Sequence, residues 1–414
     1  MSSEIGWPHL RDIEGSWSDH LAGKTIVLAI SGSVAAVESH RLARSLIRHG
    51  AQVRCVVTQA AQELVSTTSL EWATGFPVVT KLTGRCEHLE FFGESGYADL
   101  LLLAPATANT VGKLALGLDD NAVTTTATTA LGSGAPVLCC PGMHEPMMAS
   151  PAVGQNLRRL AELGVEILTP TVSEGKAKMM GVEEIVAHIL RRLGPNDLSG
   201  KRVLLTGGPT REYLDPARCL TNPSSGHSAC LLAAEAYRRG AEVVMVYGPG
   251  QATPAPWLDV RRVETGAQMT EAVEQALSEG EVHIALAVAA VADFMPTQRQ
   301  PEKIATGSVE RLELSLLPTP KILDRIRALS PKTKLVGFKA SSHTEDEALE
   351  QQARTYLEAG RADVMVANSI STPGLGFEAA QNRYLVVASE RPAQSLGPAD
   401  KERLAVNLWA TLLA

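Results

Sequence analysis

Leu205-Thr206-Gly207-Gly208-Pro209-Thr210-Arg211 leaves an apolar run on two glycines and a proline. The same stretch continues through Leu214-Asp215-Pro216-Ala217-Arg218-Cys219 to Asn222-Pro223-Ser224-Ser225-Gly226, where a helical pattern begins. Backbone amides and hydroxyls at a helix start, with arginines beside them, suit an anionic ligand. The stretch stands at mid-chain, just after Gly194-Pro195-Asn196-Asp197-Leu198-Ser199-Gly200, which is dense in breakers and reads as a linker. It therefore opens a second domain.

Working outward, the chain starts again after that linker. Gly200-Lys201-Arg202-Val203-Leu204-Leu205 echoes Gly23-Lys24-Thr25-Ile26-Val27-Leu28, and Arg238-Arg239-Gly240-Ala241-Glu242-Val243 echoes Arg48-His49-Gly50-Ala51-Gln52-Val53. Shared ancestry and the common grammar of a strand-helix-strand unit both produce such an echo. In the first half, nearly all-apolar strands are expected at residues 25–30, 52–58, 100–104 and 136–140, with helices between them. Such alternation indicates a parallel sheet covered on both faces. In the second half, strands are expected at residues 283–288, near 312–316, 334–338 and 363–367, helices at 321–329 and 345–359, and a final helix from Ala399. The expected organisation is an extension over 1–22 partly held by Trp7 and Trp17, an α/β domain over 23–193, a linker over 194–200 and a second α/β domain over 201–414.

Composition narrows the function. With 414 residues, 45% apolar and 20% charged, the chain has the makeup of a soluble protein with a sizeable core. Its net charge of −7 argues against a nucleic-acid partner and for small molecules. The six cysteines show neither C-x-x-C pairs nor zinc spacing and read as buried residues of a reducing compartment. No signal-peptide core and no membrane-length apolar run is visible, so a cytoplasmic location without membrane partners is expected.

Ser31-Gly32-Ser33-Val34-Ala35-Ala36 lacks the glycine spacing of a dinucleotide site and better fits a mononucleotide phosphate at a helix start. Thr58 and Ala104-Pro105-Ala106-Thr107-Ala108-Asn109-Thr110 end other strands at the same carboxyl edge, where ligands of open α/β sheets bind. His88, within Cys86-Glu87-His88-Leu89, is on its own more often a structural or solvated residue than a base. Pro141-Gly142-Met143-His144-Glu145-Pro146-Met147-Met148 pairs methionines that fit a core with prolines and charges that fit a site.

Ser31–Ala36, His88, Ala104–Thr110, Asp119-Asp120-Asn121 and Pro141–Met148 together resemble the homo-oligomeric flavin-containing cysteine decarboxylases. Thr206–Gly226, with Ala289-Ala290-Val291-Ala292-Asp293 and Pro301-Glu302-Lys303-Ile304, resembles the phosphopantothenate-cysteine ligases. Both in this order resemble the bifunctional coenzyme A biosynthesis proteins over roughly residues 22–412, and the His144-Glu145-Pro146-Met147 form looks like their archaeal branch. The fold class implied is α/β with two Rossmann-like domains, an N-terminal flavodoxin-like flavin decarboxylase domain and a C-terminal ligase domain with a mostly parallel sheet.

The resemblance implies FMN held by Gly32, Ser33, Thr58, Ala106, Thr107, Asn109 and Thr110, with His88 as base. Oxidation of the cysteinyl group to a thioaldehyde would ease loss of carbon dioxide, after which the reduced flavin returns the electrons. Bacterial members commonly bind the substrate carboxylate with an asparagine where His144 stands here. They also carry a flap cysteine, whereas Gly175–Met180 has none. Lys176 or Lys178 could replace it or be solvated, and the proton donor stays unassigned.

For the ligase half the resemblance implies 4′-phosphopantothenate, L-cysteine and CTP as substrates, an acyl-cytidylate, and Mg2+ on the triphosphate. Arg218, Asn222 and Lys303 match catalytic positions. Gly207, Gly208, Thr210, Ser224, Ser225, Gly226, Ala287, Ala289, Asp293, Pro320, Lys321, Ile322, Leu323, Phe338 and Arg354 match substrate or nucleotide positions. Here the chain departs from the family: His227 stands where a lysine is usual, and Ala305-Thr306 follow Lys303 in place of further lysines. A homo-oligomer with trimer and dimer contacts, combined in a dodecamer, is also implied. Competing readings are a decarboxylase whose ligase half is impaired or uses another nucleotide, and a non-enzymatic flavin-binding regulatory subunit. An NAD-dependent dehydrogenase is disfavoured by the missing glycine fingerprint.

Overall fold

A computed structural model describes residues 7–169, 172–173, 176–177, 179–305, 311–372, 374–376 and 379–414, with the backbone alone at 172–173 and 176–177. The chain divides into two compact units, Met1–Gly194 and Pro195–Ala414.

The first unit carries, among the described residues, strands β1 (Thr25–Ile30), β2 (Gln52–Val57), β3 (Leu100–Ala106), β4 (Val137–Pro141) and β5 (Glu166–Ile167) in one parallel sheet of order β2-β1-β3-β4-β5. A short antiparallel pair, β6 (Val172–Ser173) and β7 (Lys176–Ala177), stands apart from it. Side chains alternate across a strand, and β1 shows the result. Ile26, Leu28 and Ile30 enter one core with Leu42 and Leu46, whereas Val27 and Ala29 enter the other with Val111 and Val123. Both faces are covered, which is why every residue of β1 and β3 is buried.

The segment before β1 is held by Leu10 and Leu21, both fully buried. Trp7 and Trp17, expected to hold it in part, are about half exposed and add edge contacts with His9 and His49. Trp17 also lies under the Arg48 guanidinium, 5.0 Å from its ring centre.

In the second unit, β8 (Arg202–Gly207) leads into an antiparallel arm of β9 (Arg211–Tyr213) and β10 (Cys219–Thr221). Strands β11 (Glu242–Tyr247), β12 (Asp259–Arg262) and β13 (Ile284–Ala287) follow. A second arm pairs β14 (Phe294–Pro296) with β15 (Leu316–Pro318). Next come β16 (Lys334–Ser341), β17 (Val364–Ser369), β18 (Gln381–Ala388) and β19 (Arg391–Asp400). The main sheet runs β12-β11-β8-β13-β16-β17-β18-β19, parallel as far as β17 and antiparallel thereafter.

Two expectations are corrected here. The apolar run near 312–316 does not add a strand to the main sheet; its end joins the β14–β15 arm, with Leu312, Leu314, Leu316 and Leu317 exposed. The final helix begins at Lys401 rather than Ala399, after the β18–β19 hairpin that fills 381–400, a stretch with no strand expected.

The echoed segments are equivalent strand pairs. Thr25 and Ile26 face Gln52 and Val53, while Arg202 and Val203 face Glu242 and Val243. The cysteines are free; Cys55, Cys139, Cys140 and Cys230 are buried, and burial pushes the Cys55 thiol up to about 12. No described helix is long and apolar enough to cross a membrane.

Candidate functional sites

In a sheet of order β2-β1-β3-β4-β5, chain direction reverses across the sheet between β1 and β3, and the crevice at their carboxyl ends takes ligands. Ser31 closes that crevice: its Oγ donates to the Pro105 carbonyl at 2.7 Å and accepts from the Thr107 amide at 2.9 Å. Three hydroxyls then cap helix starts at neighbouring strand ends. Ser33 accepts from the Ala35 amide at 3.4 Å, Thr58 from Ala61 at 3.2 Å, and Thr107 from Thr110 at 3.3 Å. At Gly32 an added Cβ would stand 2.5 Å from the Ala60 Cβ, so the backbones meet with no room for a side chain. Ala106 and Thr110 are buried beneath this edge and Asn109 is exposed upon it. Amides, hydroxyls and bare backbone are a donor set that fits the phosphate of a mononucleotide.

His88 lies on the helix Glu87–Phe92, which packs against the helix Ala122–Gly132. Its Nδ1 is buried and has no hydrogen-bond partner among the described residues. His144 is exposed at the start of Glu145–Met148, and its carbonyl, not its ring, accepts from the Met147 and Met148 amides. No described contact joins His88 to His144 or to the Ser33, Thr58 and Thr107 hydroxyls. Asn121 caps its helix reciprocally with Thr124, while Asp119 accepts from the Thr128 hydroxyl at 2.7 Å and Asp120 from the Lys113 ammonium at 2.5 Å. Lys178 and Gly175 lie outside the described residues, and of Lys176 only the backbone is described.

The second unit holds a cavity of about 330 Å3 at the carboxyl ends of β8, β13, β16 and β17. The sequence-expected residues Gly208, Asn222, Ser224, Ser225, Gly226, Ala287, Ala289, Asp293, Pro320, Lys321, Ile322, Leu323 and Phe338 all line it. Two turns are zipped together to make its floor. The Thr206 Oγ1 accepts from the Ala289 amide at 3.3 Å, the Gly208 carbonyl from Ala290 at 3.0 Å, and the Thr210 Oγ1 from Ala292 at 3.0 Å. The Asn222 Nδ2 donates to the carbonyls of Ala290 and Val291, each at 3.1 Å. Gly207 is packed against Ala229 below the cavity, and Thr210 is buried.

Gly226 begins the helix His227–Arg238 at φ 77°, and a Cβ there would stand 2.1 Å from the Tyr247 Oη. Only glycine suits that position. The Tyr247 hydroxyl donates to the carbonyls of Ser225 at 3.2 Å and Ala252 at 2.8 Å, which holds the Ser224–Gly226 turn, and burial pushes its pKa up.

Arg218, Lys303 and Arg354 stand outside the lining. The Arg218 Nη1 donates to the Asp215 carboxylate at 2.6 Å and to the Ile304 carbonyl at 3.0 Å. Asp215 also accepts from the amides of Ala217 at 2.7 Å, Arg218 at 2.8 Å and Ile304 at 3.1 Å. Burial pushes this carboxyl up, but the amides and the guanidinium outweigh it and hold it at about 2. Asp215 thus ties the β9–β10 arm to the backbone beside Lys303, whose side chain is exposed. Arg354 pairs with Glu350 of its own helix at 2.5 Å. The cation that the neighbouring segment does bring to the cavity is Arg361, bonded to Asp324 through its Nε at 2.7 Å and through its Nη2.

Sequence reasoning missed Asp215, Tyr247, Lys339 and Arg361. No local pattern marked them as residues of the site. Among the described residues no group of three His, Cys, Asp or Glu gathers as a metal site.

Residues 198–414 match the DNA/pantothenate metabolism flavoprotein C-terminal domain family, and residues 14–194 match the flavoprotein family. The chain is 43% identical over 402 residues to the coenzyme A biosynthesis bifunctional protein CoaBC of Thermococcus kodakarensis, covering 97% of this chain and 98% of that one. The chain belongs to the CoaBC family. The CoaBC proteins of Methanocaldococcus jannaschii and Escherichia coli K12 are 32% and 34% identical to it over 374 and 378 residues, covering 90% and 87% of this chain and 89% and 90% of theirs. Among solved structures, the C-terminal domain of a CoaBC protein is similar with a TM-score of 0.44 at 30% identity, covering 53% of this chain and 96% of that one. A PPC decarboxylase mutant complexed with pantothenoylaminoethenethiol is similar with a TM-score of 0.35 at 28% identity, covering 40% of this chain and 96% of that one.

Proposed function

We propose that this CoaBC-family protein joins 4′-phosphopantothenate to L-cysteine at the expense of CTP and then decarboxylates the product to 4′-phosphopantetheine. The observation that supports this reading is one chain with a hydroxyl-capped strand edge in its first unit and a cavity lined by Asn222, Ser224, Ser225, Gly226 and Asp293 in its second, with family likeness over 97% of its length.

In the first unit, Gly32, Ser33, Thr58 and the Ala106–Thr110 turn would hold FMN, with its phosphate on the hydroxyl-capped helix starts. Bound flavin supplies a two-electron acceptor and donor beside the cysteinyl group, which makes loss of carbon dioxide easy. The protein's part is positioning and proton handling. His88, half-buried on the helix Glu87–Phe92, would supply the imidazole that takes up a proton from the substrate. His144, with its ring free of the helix cap, would hold the substrate carboxylate as a donor.

In the second unit, Ser224, Ser225 and Gly226 at the start of a long helix would take phosphates, while Arg218 and Asn222 act at the acyl-cytidylate. Arg218 commits Nη1 to Asp215 and Ile304, and no described group takes its Nε or Nη2. Those donors are oriented before any substrate arrives, which is where preorganised charge is most effective. Lys303 sits beside the segment that Asp215 clamps, and a lysine there offsets charge developing on the phosphates. Mg2+ is read as accompanying the triphosphate, a hard cation held by phosphate oxygens.

A homo-oligomer belongs to the reading as well: Val34 and Val37, at the helix start beside the flavin edge, are exposed apolar side chains. The test is direct. Purified protein is expected to show flavin absorption and to release CMP only when phosphopantothenate, cysteine and CTP are all present. Colourless protein without that CMP release would overturn the reading.

A further inference from the structure

The charges lining the second-unit cavity do not cancel. Its fixed ionic residues are Asp293, Lys321, Asp324, Lys339 and Arg361. Asp293 is engaged by the Lys321 ammonium at 2.5 Å, and Asp324 by the Arg361 guanidinium at 2.7 Å. His227 also lines the cavity, and burial with the nearby Lys401 holds its pKa below the ordinary histidine value, so it is neutral at pH 7. Lys339 is left over. It is half-buried, and no carboxylate pairs with it among the described residues.

Its place in the fold explains how it reaches the cavity. Strand β13 pairs with β16 only as far as Ala287 opposite Gly337, whereas β17 continues alongside β16 to Ser369 opposite Ser341. Phe338 and Lys339 therefore stand past the end of β13, on the open side of the crevice. A cavity lining with one surplus cation is electrostatically complementary to an anion. Across the cavity, Ser224, Ser225 and Gly226 lead into a 12-residue helix, whose amide end favours the same kind of ligand.

We propose that Lys339 is an anion-binding residue of this cavity, holding a phosphate group of a phosphorylated ligand. The inference rests on the ligase reading of the second unit. It gives the cavity a fixed positive charge that His227 does not supply at neutral pH. Phosphate reaches such a site either on the nucleotide or on the phosphorylated acid substrate.

The test is calorimetric titration of the full chain with CTP, inorganic pyrophosphate and 4′-phosphopantothenate at two salt concentrations. Lys339→Met is expected to bind at least one of them about 10- to 100-fold more weakly, with a smaller salt dependence, while Lys339→Arg stays near the parent. Lys339→Gln serves as a second neutral variant, and each variant's melting temperature checks its fold. Loss confined to CTP and pyrophosphate assigns the phosphate to the nucleotide; loss confined to phosphopantothenate assigns it to the acid. Parent-like binding of all three probes by Lys339→Met overturns the proposal and leaves the ligase reading standing. A parent that binds none of the probes overturns both. Weakened binding in Lys339→Met, in a parent that nevertheless forms no CMP, upholds Lys339 and removes the ligase reading.

Discussion

Asp215, buried, and Arg218, three residues on and partly exposed, form a pair at 2.6 Å that also grips the Ile304 backbone from both sides, through its carbonyl and its amide. One carboxylate thereby aims a guanidinium and fixes the segment carrying Lys303. Replacing Asp215 by Asn keeps the shape but removes the charge that orients Arg218. Ligation is expected to fall roughly 100-fold or more in kcat, as when a preorganised charge is lost, while flavin absorption is unchanged. CMP release and the visible spectrum of the variant check both parts.

The same carboxylate makes a pH prediction. Its pKa lies below the ordinary aspartate value of 3.8, at about 2. Its contribution to stability is therefore present above the unfolded-state pKa and is lost as pH falls from about 4 toward 2. Urea unfolding followed at pH 7, 4 and 3 is expected to show the parent losing its advantage over Asp215→Asn in the acid range. A constant difference across that range would contradict it.

At Gly226 a methyl group has nowhere to go. Gly226→Ala meets the Tyr247 hydroxyl and sits at positive φ, so the second unit is expected to lose roughly 2–4 kcal/mol. Tyr247→Phe removes the bonds to the Ser225 and Ala252 carbonyls without a clash and is expected to cost about 1–2 kcal/mol. Denaturant midpoints give both values.

Arg361 and Arg354 separate a cavity cation from a surface one. Arg361→Ala strips Asp324 of its partner at the cavity wall and is expected to raise KM for the nucleotide about tenfold. Arg354→Ala removes only a pair with Glu350 on the same helix, worth about 0.3–0.5 kcal/mol. Equal KM effects would place the nucleotide elsewhere.

For the first unit, His88→Asn is expected to lower decarboxylation about 100- to 10,000-fold with flavin still bound, the range for loss of a general base. Carbon dioxide release beside the flavin spectrum is the check.

The strands most legible in the sequence were those buried on both faces. Residues 26–30 and 100–104 are continuous apolar runs, and no turn residue interrupts them. The β18–β19 hairpin was illegible for the opposite reason. Residues 391–400 include two prolines and a glycine and bury chiefly Leu396, as an edge strand can. The apolar residues at 312–317 misled because exposed leucines carry the same letters as buried ones.

The second-unit cavity was readable where it is built from strand-end turns, since glycine, proline and hydroxyl residues announce those locally. Asp215, Tyr247 and Arg361 act through partners distant in sequence: Asp215 with Ile304, Tyr247 with Ser225, and Arg361 with Asp324. Only folding brings those pairs together.

The most direct measurement uses the purified full-length chain with 4′-phosphopantothenate, L-cysteine labelled at its carboxyl carbon, and CTP. If both units act in sequence, CMP and labelled carbon dioxide appear in equal amounts with 4′-phosphopantetheine, and omitting CTP abolishes both. Carbon dioxide release that ignores CTP, or CMP formed with no carbon dioxide following, would contradict a chain that carries out both steps.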